Sequence, residues 1–514
     1  MDFIINLLAF VFALGIIVSI HELGHLIFAK RAGMLCFEYS IGLGPAIYQR
    51  KGKETDFSVR AIPIGGYVSI AGESMSTEMV KKDQVIGLNL VDGKVKEMIL
   101  FEEPSELKIQ ITDFEIYSEH GEPLFIEGYV DGVIKRFDIL EDAIYKLPKQ
   151  NLKIAPYKVC FESKTYIEKL LTLIAGPMMN FLLALFLFFV VASFKGAPVN
   201  QNKIGSLTEE NPAFIYGLRK GDVITSINGN AVNNWEDIGN NIKGDELYSI
   251  TIEGSNTPIE VVPRIDITQL GISNYHKKSD GSILVTSGTL NVGTYYGVTE
   301  NSLMHGDTIT KIEYKNNVII INRYQDLIDN MNLFDGGEAT VTYLRNGEEK
   351  TTKINVWERQ VLKSQGIEPF NVYIGISPTY KYNFVYSLKA PFVEIYNSFY
   401  QVLMVLKFLF GGSKQIGVGQ LSGPVGIFNI VGQIARQGFL SLLTFVAFLS
   451  VNIGILNLLP IPALDGGRIL FISIEGITRK RIPRKTENLV NNLFFFLLML
   501  LFVYVTFNDI LRLF

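Results

Sequence analysis

Val18-Ser-Ile-His-Glu-Leu-Gly-His-Leu-Ile-Phe-Ala-Lys30 is the stretch on which the reading of this chain turns. Within it, His21, Glu22 and His25 form an H-E-x-x-H. Positions i and i+4 of a helix share a face, so both imidazoles can reach one metal ion. Glu22 stands beside them, placed to take a proton from a metal-bound water. The setting is unusual, because Phe3 to Ile20 are almost wholly apolar. A hydrolase motif therefore falls inside a predicted membrane span.

The 514 residues leave room for about three or four domains. Apolar residues make up 48% and charged residues 19%, below the roughly 25% typical of soluble domains. The apolar residues are clumped, which points to an integral membrane protein carrying soluble modules. A net charge of −4 gives no footing for a nucleic-acid partner. Cys36 and Cys160 have no close partner and form no C-x-x-C. That argues against a thiolate metal site and a disulfide scaffold.

Residues 1–30 read as the first span. A cleaved signal peptide would want a basic n-region, which Met1-Asp2 does not offer, and the apolar run continues into His21–His25. Lys30 and Arg31 end the span, and Arg50, Lys51 and Lys53 follow. The positive-inside rule makes this end cytoplasmic. His21 lies about 27 Å along the helix from Phe3, toward that cytoplasmic face. Residues 164–195 form the second span, opened by Lys164 and Lys169. It contains Ala175-Gly-Pro-Met-Met-Asn-Phe181, in which Pro177 should bend the helix. Asn180 at membrane depth reads equally as a functional group or an interhelical hydrogen bond. Residues 438–467 hold the third span and end in Asn457-Leu-Leu-Pro-Ile-Pro-Ala-Leu-Asp-Gly-Gly467. A basic cytoplasmic loop is expected over 468–489 and a fourth span over 490–510. Residues 384–412 carry Lys389, Pro391, Glu394, Asn397 and Lys407, which suits an amphipathic interfacial helix better than a span. Residues 413–437 read as a linker containing Leu421-Ser-Gly-Pro-Val-Gly-Ile427.

The soluble segments are strand-rich. Residues 31–72 hold a Gly42-x-Gly44 loop and a ribbon over 57–70 that includes Gly65-Gly66. Read from its residues alone, the ribbon is a small cytosolic hairpin. The alternative is a hairpin whose free edge pairs with an extended peptide. Residues 73–163 form a β-rich cytoplasmic insert with strands near 97–101, 107–117 and 124–137. Residues 200–265 resemble a PDZ domain, and 266–379 read as a degenerate second copy in which 304–313 parallels 219–227.

A catalytic zinc takes three protein ligands and keeps one position open. His21 and His25 supply two. Asp465 follows a proline-broken helix at matched depth, and an ionisable residue there calls for a function. His120 and His276 lie in soluble segments and His305 on the outer side, so none competes. Asn457 is placed to hold substrate backbone or orient the site, or else to cap a helix.

On these pieces the chain resembles the bacterial site-2 protease family, intramembrane zinc metalloproteases of the RseP type in peptidase family M50. The matching motifs are His21-Glu-Leu-Gly-His25, Tyr39–Pro45, Pro63-Ile-Gly-Gly-Tyr-Val68, Ala175–Phe181, Leu421–Ile427 and Asn457–Gly467, in the family's order. The resemblance implies a polytopic α-helical membrane protein of about four transmembrane helices, with PDZ-type domains and a membrane-associated β-hairpin. It implies His21, His25 and Asp465 as Zn2+ ligands and Glu22 as the catalytic carboxylate. It implies that Gly65 and Gly66 lie in a ribbon engaging substrate as a strand, and that Asn457, Pro460 and Pro462 contact the unwound substrate. Implied partners are the lipid bilayer, single-span membrane proteins such as anti-sigma factors after a first extracytoplasmic cut, and signal-peptide remnants. The implied location is the bacterial inner membrane, with both termini and the PDZ domains extracytoplasmic. A long 73–163 insert and a weakly marked second PDZ depart from the pattern. The alternative function is a catalytically dead, PDZ-bearing membrane scaffold.

Overall fold

The computed structural model describes residues 2–72, 79–148, 151–244, 247–255, 257–277, 283–285, 294–295, 303–304, 306–364, 367–411, 421–480 and 482–511. His305 lies outside them, as does the side chain of His276. The longer helices are α1 (Asp2–Arg31), α2 (Tyr166–Lys195), α3 (Phe384–Phe410), α4 (Pro424–Arg436), α5 (Phe439–Leu458), α6 (Asp465–Thr478) and α7 (Arg484–Leu511). Four described segments, Phe3–Arg31, Tyr166–Lys195, Phe439–Leu458 and Lys485–Leu511, are long and apolar enough to cross a membrane. The chain divides into two compact units, one of residues 1–188 with 422–514 and one of residues 189–421.

In the first unit, α1 runs into β1 (Cys36–Arg50) and β2 (Asp56–Ile70). The expected Gly42-x-Gly44 loop is part of β1. Both glycines take positive φ, +87° and +83°, and bend the strand rather than end it. Residues 36–41 therefore lie between two stretches of β2, with Tyr39 opposite both Val68 and Phe57, while 46–50 return along 57–60. The insert forms β3 (Val85–Val91), β4 (Lys94–Ile99), β5 (Leu107–Glu115), β6 (Phe125–Val130), β7 (Val133–Lys146) and β8 (Asn151–Lys153). The sheet order is β4-β3-β5-β6-β7-β8, and a β4–β7 pairing closes it around Leu88, Met98, Ile109 and Ile126. The stretch expected as one strand over 124–137 is two, because Asp131-Gly132 takes positive φ at both positions and makes a hairpin turn.

Two sequence expectations here are corrected. The supposed linker 413–437 contains α4, which lies along α1. Phe428 meets Phe3 and Phe10, each with ring centroids 5.7 Å apart, and Arg436 donates to Asn6 Oδ1 at 2.8 Å. The glycines of α4 include a contact point. A Cβ at Gly432 would fall 1.9 Å from Asn6 Oδ1. The expected loop 468–489 is mostly helix, since α6 runs to Thr478 and α7 begins at Arg484. Its basic residues flank the apolar run Ile469–Ile474 rather than interrupt it.

In the second unit, a sheet of Asn230–Ala231, Ile224–Ile227, Tyr248–Ile252 and Ile259–Val261 packs against the helix Trp235–Asn241. A second sheet of Asn317–Ile320, Thr308–Tyr314, Glu338–Arg345 and Glu348–Asn355 repeats that order, with Tyr324–Asp329 as its helix. The division expected after residue 265 does not separate the two cores. Ile376–Pro378 pairs with Ile204–Leu207, and Ile374 is buried in the first core. The second module is thus inserted into the first, and a closing strand from so far down the chain leaves no local sequence signal. Tyr380–Lys381 pairs with Ala197–Pro198, which brings the start of α3 beside the end of α2.

Candidate active site

His21 and His25 are both 8% exposed on α1, with their Nε2 atoms 3.3 Å apart. Asp465, the first residue of α6, brings Oδ2 to 3.2 Å from His21 Nε2 and 3.5 Å from His25 Nε2. The loop before α6 makes this possible. Pro460 and Pro462 end α5, Ala463 turns with φ of +74°, and Leu464 N–H donates to the Ile461 carbonyl. Gly466 and Gly467 carry the loop against α6: a Cβ at Gly466 would lie 2.0 Å from Leu459 O, and one at Gly467 2.4 Å from Ile461 O.

The chemistry of the cluster is that of a cation site. His25 Nδ1 lies 2.8 Å from the Thr172 carbonyl, which can only accept, so the ring proton sits on Nδ1 and Nε2 presents a lone pair. Asp465 Oδ2 is buried and has no hydrogen-bond partner among the described residues. His25 Nε2 and Asp465 Oδ2, 3.5 Å apart with lone pairs facing, repel unless a cation or a proton lies between them. Tetrahedral ligands at about 2.0–2.1 Å from zinc stand about 3.3 Å from one another. The donor set and its spacing fit zinc.

Helix α2 forms the wall. Gly24 of α1 lets it approach, since a Cβ there would lie 2.4 Å from the Ala175 carbonyl. Gly176 covers the imidazoles, and a Cβ on it would stand 2.2 Å from His25 Nε2 and 2.9 Å from His21 Nε2. Asn180 Nδ2 lies 3.1 Å from His21 Nδ1, and the Asn180 carbonyl accepts from Ser450 Oγ of α5 at 2.8 Å.

The β-ribbon is pressed onto the same turn of α1. Tyr39 Oη donates to the Ser19 carbonyl at 2.7 Å. Burial and the Glu22 charge push the Tyr39 hydroxyl up to about 12, so it stays a donor. Gly66 abuts Glu22. A Cβ there would fall 2.7 Å from Ser40 O, 2.8 Å from Val18 Cγ1 and 3.2 Å from Glu22 Cγ. Glu38 accepts from Arg60 at 2.7 Å, from Tyr67 at 2.6 Å and from Ser58, tying both neighbouring stretches of β2 to β1.

The structure therefore gathers His21, His25 and Asp465 at one point, with Glu22 on the same turn of α1 and Gly66 beside Glu22. Gly65 turns the ribbon with φ of +83°. Asn457 lies in the last turn of α5, and Pro460 and Pro462 lie in the loop between α5 and α6. The roles of Thr172 and Gly176 are not legible in the sequence, and that of Asn180 was left open there. Thr172, Gly176 and Asn180 share a four-residue spacing on α2.

A profile of peptidase family M50 matches residues 9–501. The chain belongs to peptidase family M50. Named relatives of this M50 peptidase cover it end to end. A protein of Geobacillus kaustophilus called zinc metalloprotease RasP is 32% identical over 99% of this chain and 98% of the relative. The regulator of sigma-W protease RasP of Bacillus subtilis is 31% identical over the whole of both chains. A putative zinc metalloprotease of Staphylococcus aureus is 28% identical, again over both full lengths. The expectation that this M50 chain is a metallopeptidase agrees with the family and with those names.

Proposed function

We propose that this M50 peptidase is an intramembrane zinc protease that cuts the transmembrane segments of single-span proteins near the cytoplasmic face. The observation that carries the reading is the convergence of His21 Nε2, His25 Nε2 and Asp465 Oδ2 from a membrane-length helix and a proline-broken loop. These three atoms would hold the metal. Zinc, when bound, supplies a Lewis acid that polarises the scissile carbonyl and lowers the pKa of water. The Glu22 carboxylate accepts the proton of the attacking water and returns it to the leaving amine nitrogen.

A helical substrate hides its amides in its own hydrogen bonds, so it must unwind before it can be cut. The 66–70 edge beside Glu22 offers replacement strand pairing, with Asn457, Pro460 and Pro462 facing the unwound segment. Leu43, Ile47, Tyr48 and Ile62 expose apolar side chains on the ribbon, which suits a membrane-associated hairpin. Lys30, Arg31, Lys164, Lys169 and Lys485 flank the spans at what the positive-inside rule makes the cytoplasmic end. The termini, the paired β-modules (taken as PDZ-type) and α3 (taken as interfacial) then belong to the outer side. The sigma-W name of the Bacillus subtilis relative favours membrane-anchored anti-sigma factors as substrates, with signal-peptide remnants as a second class.

The test is reconstitution with a single-span reporter, comparing wild type, Glu22→Gln and chelator-treated protein. Wild type should cut. Glu22→Gln should slow the cut on the order of 10²–10⁴-fold while retaining zinc, and chelation should abolish it until zinc is restored. Undiminished cleavage by Glu22→Gln would overturn the mechanism.

A further inference from the structure

We infer that Asn180 is a positioning residue that fixes the tautomer of His21 and so readies its Nε2 for zinc; the inference rests on the reading of His21 as a ligand. The two imidazoles are served by one stripe of α2. Thr172, Gly176 and Asn180 recur at four-residue spacing, opposite His25 and His21 on α1. The Thr172 carbonyl accepts from His25 Nδ1, and Gly176 has no side chain to displace the Nε2 atoms. Asn180 is the partner of His21 Nδ1.

A histidine that ligates through Nε2 carries its proton on Nδ1 and hands it to an acceptor. For His21 that acceptor is the Asn180 carboxamide, at 3.1 Å. The amide turns Nδ2 toward the ring, while Oδ1 is buried without a donor among the described residues. The two ends of a carboxamide are interchangeable in shape, and a half-turn about its last torsion puts Oδ1 against His21 Nδ1–H. The opposite pairing, Nδ2–H to a bare Nδ1, would leave the proton on Nε2 and block the metal. Asn180 is fully buried, and Ser450 fixes its backbone through the 2.8 Å bond to its carbonyl. The Asn180 backbone is thus anchored where its carboxamide reaches His21 Nδ1.

The experiment measures zinc affinity by chelator competition on the detergent-purified full chain, with Zn2+ alone as probe, alongside melting of the zinc-free protein. Asn180→Leu keeps the volume and removes the acceptor; Asn180→Asp keeps an acceptor and only an acceptor. We expect Asn180→Leu to lose zinc affinity about 10–100-fold with zinc-free melting unchanged, and Asn180→Asp to bind at least as tightly as wild type. Wild-type affinity in Asn180→Leu, or equal loss in both variants, overturns the inference. Asp465→Ala run in parallel tests the underlying reading separately, since wild-type zinc affinity in that variant would remove the site itself.

Discussion

Asp465 Oδ2 lies 3.2 Å from His21 Nε2, although the two residues come from opposite ends of the chain. The contact joins α1 to the proline-broken loop before α6. Deleting the carboxylate leaves two imidazoles on one helix turn, one donor short of a catalytic zinc site. Asp465→Ala should therefore lose zinc affinity by more than the roughly 100-fold that loss of an outer partner costs. Metal analysis after dialysis checks this, and helical content measured alongside should not move.

Gly176 tests how tightly α2 closes over the site. Gly176→Ala puts a methyl 2.2 Å from His25 Nε2, so either the imidazoles swing or α2 retreats. Zinc content and cleavage should both fall sharply. Gly15→Ala is the control, because a Cβ at Gly15 meets nothing within 4 Å. It should bind zinc and cut like wild type. Full zinc occupancy in Gly176→Ala would show that the wall is softer than the contacts indicate.

Gly66 separates substrate placement from metal binding. Gly66→Ala forces the ribbon off Ser40 O and Val18 beside Glu22 without touching the three donors. Displacement of about 1 Å near a reacting group costs on the order of 10²-fold in rate. Cleavage of a single-span reporter should drop by that order while zinc content stays intact. Loss of zinc instead would tie the ribbon to the metal site rather than to the substrate.

Glu38 should give the ribbon an acid limit. Burial alone would raise its carboxyl, but hydrogen bonds from Ser58, Tyr67 and Arg60, with the Arg60 charge, outweigh burial and hold it below the usual range. A depressed folded value means the stabilisation is complete above the unfolded value of about 4.3 and fades as pH falls through the folded value. Hydrogen exchange of residues 36–70 should show Glu38→Gln less protected than wild type at neutral pH, with the gap closing in acid. A gap that does not change with pH would remove Glu38 as its source.

Much of this was legible in sequence, and for identifiable reasons. Apolar runs of membrane length are a one-dimensional signal, so all four candidate spans could be placed. His21 and His25 pair through helix geometry alone. The Asp131-Gly132 turn splits a run that reads as one strand, and α4 and α6 occupy what reads as a linker and a basic loop, where Gly432, Gly466 and Gly467 serve close packing.

What the sequence determined by itself is the chemistry: an H-E-x-x-H on a membrane helix, an aspartate after two prolines, and the metal class those donors favour. Only the tertiary structure decided which groups complete the site. Thr172, Gly176 and Asn180 meet the imidazoles because α1 and α2 cross at Gly24, and Gly66 reaches Glu22 because β1 bends. Helical and strand periodicity are written locally along a chain. Contact between distant segments depends on how closely their backbones pass, and no local pattern encodes that distance.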